Sequence, residues 1–164
     1  CSTHCRIERR DTPKASGRRI CVQMSTEKRR RLSVSNIMDV NFNGTTAEML
    51  KIISDYDEVT GFNGAYNIRE DSKCAGRKSS ENITIESKDD KPGINIRVKP
   101  FTVGETVYIP ACVTHSDVDD LVYNDFYIGE GADVVIVAGC GVHNDGEEQA
   151  RHNGIHRFFL EKGS

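Results

Sequence analysis

The chain has 164 residues, 37% hydrophobic and 29% charged, with no Trp; that is enough for one domain with a core, and no run approaches the roughly 18 consecutive apolar residues of a membrane span. The net charge of −3 is uneven: residues 1–31 hold ten Lys/Arg against three Asp/Glu, or +7, which leaves twelve Lys/Arg against 22 Asp/Glu, or −10, for residues 32–164. An acidic body is a poor partner for nucleic-acid phosphates, and a short Arg-rich head is more often disordered than bound to an anionic surface.

Residues 1–37 read as a basic, disordered or non-native head. CSTHCRIERRDTPKASGRRICVQ has no period of 2 or 3.6 and no apolar face. Its Cys1, Cys5 and Cys21 with His4 match no paired CxxC pattern, which argues against a zinc site. The body holds only Cys74, Cys112 and Cys140. Spacing this irregular, in a chain that needs no staples, predicts reduced thiols in a cytoplasmic protein.

A helix and a connecting segment are expected over 38–81. Thr45 and Glu48 fit a capping box, and Met49, Leu50, Ile52, Ile53 and Tyr56 recur on one apolar face, with an end near Gly61. From residue 82 to 164 the pattern is all-β. The runs NITIES, INIRVKP, TVYIPACV, DFYIG, DVVIVAG and IHRFFLE are separated by turns such as DDKPG and GEGAD.

Within this half, Phe126-Tyr127-Ile128-Gly129-Glu130-Gly131-Ala132 recurs further along as Phe158-Phe159-Leu160-Glu161-Lys162-Gly163-Ser164. Each copy reads aromatic, aromatic, aliphatic, two intervening positions, Gly, small. A strand, a glycine turn and a second strand make one corner of a coil. Stacked coils bury a continuous aliphatic core. The expectation is a mainly β chain formed by the early coils of a longer stack, truncated at the C-terminus and preceded by a short α-helical segment.

The stretch VIVAGCGVHNDGEEQARHNGIH concentrates the candidate chemistry. Val134 to Val137 predict a buried strand, and Gly139 and Gly141 beside Cys140 predict a tight turn or a close approach by a neighbour. Carboxylates near Cys140 disfavour a lone thiolate nucleophile, leaving a metal or cluster ligand or a buried hydrophobe. His143, His152 and His156 are the accompanying metal candidates, with hydrogen-bonded structural roles as the alternative. In IPACVTH, strand alternation puts Cys112 and Thr114 on one face and His115 on the other, so Cys112 reads as core. Ser79 and Ser80 read as turn residues. Neither a phosphate-binding glycine loop with Lys-Ser/Thr nor a G-x-S-x-G elbow is present.

The strings GAYNIREDSKCAGRKSSENITIESK, GETVYIPACVTHSDVDDLVYNDFYIGEGADVVIVAGCGVH and RHNGIHRFFLEKG resemble the short SufB/SufD-type iron–sulfur cluster assembly scaffolds of archaea and anaerobic bacteria. The resemblance covers about residues 38–164. It implies a right-handed parallel β-helix and a cytoplasmic scaffold that is not itself an enzyme. The implied partners are a SufC-type ABC ATPase, which hydrolyses the ATP, a SufB- or SufD-type homo- or heterodimer partner, a sulfur donor and apoprotein acceptors. No nucleic acid and no membrane are implied. The transient iron–sulfur cluster belongs to the full-length complex, and the ligands usually credited in the family lie mainly in later coils. Cys140, as a cluster ligand, and Cys140, His143, His152 and His156, as metal ligands, are therefore candidates on their own chemistry. Two other readings stand beside this one. The first is a cupin-like single-metal enzyme using the three histidines with Glu147 or Glu148, although the paired H-x-H is absent. The second is a purely structural β-helix segment.

Overall fold

The computed structural model describes residues 42–57 and 60–164, and the backbone of Ser2–Arg9. Cys1 and Cys21 of the considered zinc site, and the side chains of His4 and Cys5, lie outside the described residues.

Helix α1 runs over Gly44–Ser54. Its N-cap is Asn43, whose Oδ1 accepts from the Thr46 backbone N–H at 2.8 Å, and not the expected Thr45. Tertiary contacts make that choice. The Asn43 backbone N–H donates to Glu70 Oε2 (2.9 Å), and its Nδ2 donates to Thr114 Oγ1 (2.8 Å). The helix stops well short of Gly61 because Asp55 turns left-handed, with φ 52°. Ile52, expected on the apolar face, is 84% exposed, whereas Leu50 is fully buried. Leu50 packs with Phe62, Tyr66, Ile68 and Cys112, flanked by Met49, Ile53 and Tyr56.

The segment expected only to connect contains a hairpin, β2 (Ala65–Glu70) and β3 (Lys73–Lys78). Asp71 (φ 43°) and Ser72 (φ 67°) turn it, the pair of positive φ angles that suits the twist of a two-residue hairpin. Neither strand alternates cleanly in sequence, since four consecutive residues of β2 are buried and β3 is mostly polar. A second antiparallel hairpin, β4 (Ile83–Ser87) and β5 (Gly93–Val98), turns at DDKPG.

The remaining strands stack in parallel: β6 (Val103–Tyr108), β7 (Ala111–Val113), β8 (Asp119–Ile128), β9 (Asp133–Val137), β10 (Cys140–Val142) and β11 (Arg151–Leu160). One sheet has the order β1-β11-β8-β5-β4, with β1 at Ser2–Arg9, and the other has the order β10-β7-β2-β6-β9. In the second sheet β6 and β7 are two halves of one rung, both paired with β2 and interrupted at Ile109-Pro110. The ladder continues across the interruption: Arg69 N donates to Pro110 O, and Ala111 N donates to Gly139 O. Halves β9 and β10 stack on β6 and β7 in the same way.

The chain thus alternates between two sheets, and each pass lies parallel to the one before. Ala111 pairs with Cys140 on the next pass, Ile96 with Phe126, and Phe126 in turn with Phe158. The last pairing joins the two copies of the sequence repeat at their first residues. Its aromatic positions form ladders: Phe126 stacks on Phe158 at 4.5 Å, and Tyr127 stacks on Phe159 at 4.8 Å with Arg97 over the Tyr127 ring. This mainly β, parallel, curled arrangement is compatible with β-helix-like folds.

Between the sheets lies the core of Ala65, Ile83, Ile85, Ile94, Ile96, Val98, Val107, Ile109, Phe126, Ile128 and Ala132. Within the head read as disordered or non-native, Ser2–Arg9 forms β1, parallel to β11 in unbroken register from Ser2↔Asn153 to Arg9↔Leu160. Among the described residues no helix is long and apolar enough to cross a membrane.

Candidate functional site

The inward positions of β8 and β11 grade from apolar to polar. At one end Phe126, Ile128, Phe158 and Leu160 meet the aliphatic core. At the other, Asp120, Asn124, His152 and His156 all turn inward and are buried. Parallel register places Asp120 beside His152 and Asn124 beside His156.

Asp120 is the hub of the polar end. Its carboxylate receives a bidentate grip from Arg69 on β2, from Nε at 2.9 Å and from Nη2 at 2.7 Å. Its Oδ2 also lies 2.8 Å from His152 Nδ1. Burial alone would raise the Asp120 carboxyl. The hydrogen bonds from His152 and Arg69, with the neighbouring positive charge, hold it well below the usual carboxylate range. A charge this deep is tolerated only because every partner is present.

Among the described residues His156 has no carboxylate partner. Its Nε2 lies 3.4 Å from Asn124 Nδ2, and burial, followed by the proximity of His152, lowers its pKa to about 4. It is therefore neutral at ordinary pH. Gly154 makes room for the His156 ring: a Cβ there would sit 3.0 Å from His156 Nε2.

Of the four sequence candidates the structure gathers three. Cys140, His152 and His156 line one internal cavity of about 30 Å³, with Arg69, Asn67 and Asn124. His143 does not line it. It follows β10 on the exposed side, where its backbone N–H donates to Val113 O at 2.8 Å. The cavity has room for a water or two. Against the expectation of reduced thiols throughout, Cys140 is disulfide-bonded, so its sulfur would need reduction before it could act as a thiolate ligand. Cys74 and Cys112 are free, as expected. Among the described residues no group of three or more His, Cys, Asp or Glu side chains is disposed to hold a metal ion.

Gly139 and Gly141 have a clear reason beside Cys140. A Cβ on Gly139 would lie 2.3 Å from the Ile53 carbonyl oxygen, and one on Gly141 would lie 2.7 Å from Met49 Sδ. The close approach expected at these glycines is made by α1 and not by a ligand. Glu147 and Glu148 are exposed in the loop between β10 and β11.

In the IPACVTH segment Ile109 to Thr114 are all buried, so burial does not alternate there, and His115 alone is exposed. Cys112 is 1% exposed, and its thiol is pushed up to about 12 by burial and then by Glu70 and Asp71. Thr114 is buried and bonded twice to Asp71, whereas His115 is exposed and meets Asp145 at 3.2 Å. Ser79 and Ser80 act as turn residues, their hydroxyls accepting from the backbone N–H groups of Ile85 and Ile83.

Arg69 and Asp120 escaped the sequence reading. They are 51 positions apart, and the hairpin that carries Arg69 shows no strand period. An acidic residue at an inward position of an alternating strand, as in DDLVYNDFYI, is the signal that could have exposed Asp120. Set against protein-family models, curated proteins and solved structures, the chain has no match.

Proposed function

We propose that this chain is part of the core of a SufB/SufD-type iron–sulfur cluster assembly scaffold, with its coils wound as a right-handed parallel β-helix. It acts in the cytoplasm with a SufC-type ATPase and a SufB- or SufD-type partner, and it is a platform and not a turnover enzyme. The observation that carries the reading is the stacking of successive passes in parallel register, β5 on β8 and β8 on β11, over the same segments that resemble the family. The nascent cluster is cargo of the assembled complex. In this reading Asp120, His152, Asn124 and His156 form a polar strut inside the coil, which also favours a structural part for the two buried histidines over a cupin-like metal site.

The test is anaerobic affinity purification of the chain, tagged at its own locus, followed by mass spectrometry. A SufC-type ATPase and a SufB- or SufD-type subunit are expected in stoichiometric amounts. Recovery of the chain without either would overturn the assignment.

A further inference from the structure

A larger cleft lies outside the internal cavity, on the other side of Arg69. It has a volume of about 520 Å³ and sits between the β2–β3 hairpin, the β4–β5 hairpin and the start of β8. A space of that size suits a small molecule. Four cationic side chains line it: Arg69, Arg77, Lys88 and Lys91. Two carboxylates, Asp119 and Asp120, also line it, and both are already engaged, by Arg151 and by Arg69 with His152. Lys88 is held in turn by Asp125, which leaves Arg77 and Lys91 as the cations that face the cleft without a buried counter-charge.

Arg77 is the distinctive member. Its Nε donates to Asn67 Oδ1 at 2.8 Å and its Nη1 to Ser87 Oγ at 3.0 Å, and among the described residues it forms no ion pair. Two neutral acceptors hold the guanidinium in place without neutralising it, and donors remain on Nη1 and Nη2. A cation fixed in this way loses little entropy when an anion arrives. Lys91, on the opposite hairpin, lies over the Tyr123 ring at 5.0 Å, and among the described residues its ion-pair partner is the exposed Asp90 at 3.3 Å. Cys74, an exposed free thiol, opens into the same space and reports on its occupancy.

We propose that this cleft is a binding site for a small multivalent oxyanion of the phosphoryl class, with Arg77 as its anchor and Lys91 as its second contact. The site is independent of the scaffold reading, in which neither residue takes part. Inorganic pyrophosphate is the probe, at ionic strength matched with chloride, and the readout is the rate of Cys74 alkylation by iodoacetamide, followed by peptide mass mapping.

Pyrophosphate is expected to slow alkylation of Cys74 and chloride to leave it unchanged. Losing a charge-assisted hydrogen bond should raise the pyrophosphate concentration needed for half-protection about tenfold or more in Arg77→Gln, and by a similar order in Lys91→Gln. Lys91 is on a surface hairpin, so its variant keeps the test decisive if Arg77→Gln does not fold. Lys162→Gln, outside the cleft, should behave as the parent. Equal protection by chloride, no protection by pyrophosphate, or parental protection in the folded Arg77 and Lys91 variants would each overturn the proposal.

Discussion

At the scale of single residues, the buried polar end of the coil sets the pH behaviour. The His156 pKa falls from 6.5 to about 4 on folding, because burial and His152 disfavour its cation. Below 6.5 the unfolded chain takes up a proton that the folded chain refuses. The stability tied to this group is therefore fully present above about 6.5 and is lost as pH falls toward 4. By linkage the loss reaches up to about 3 kcal/mol. Urea unfolding of the parent and of His156→Gln between pH 7 and 4 should show a smaller acid loss in the variant, and identical slopes would count against the buried neutral imidazole.

At the scale of elements, α1 and β10 depend on glycine in a way that sequence reading could only half anticipate. Gly139 and Gly141 do signal close approach, and the neighbour is the helix. The clash at Gly139 is with the Ile53 backbone, which cannot swing aside as a side chain can. Gly139→Ala should lower the unfolding free energy by about 1–3 kcal/mol, as overpacking usually does. Ile52→Ala, at a position 84% exposed on the same helix, should stay within about 0.5 kcal/mol of the parent. Chemical denaturation of both variants checks the pair, and equal effects would show that the helix does not press on β10. The helix boundaries illustrate the same dependence. A capping box at Thr45 and Glu48 was legible, yet Asn43 caps the helix because Glu70 and Thr114 hold it from another element.

At the scale of the molecule, stability rests on rungs that bury one another. Phe126 is fully buried between the aliphatic core and the Phe158 ring of the next pass. Phe126→Ala removes that contact and leaves a cavity, so a loss of about 3–5 kcal/mol is expected. Tyr127→Ala, in the partly exposed outer ladder, should cost less, and thermal unfolding of the two variants orders them. The mainly β character of residues 82–164 and the likeness of the Phe126 and Phe158 segments were legible in the sequence alone, because alternation, glycine turns and repeated aromatics are local signals; the structure sets those segments side by side in parallel register, Phe126 on Phe158. Only the tertiary structure decided that His143 stands apart from His152 and His156, that Arg69 reaches Asp120, and that Arg77 and Lys91 face one cleft. Those juxtapositions join residues on different passes of the chain, and their meeting depends on how far each pass travels before it returns, which no local pattern encodes.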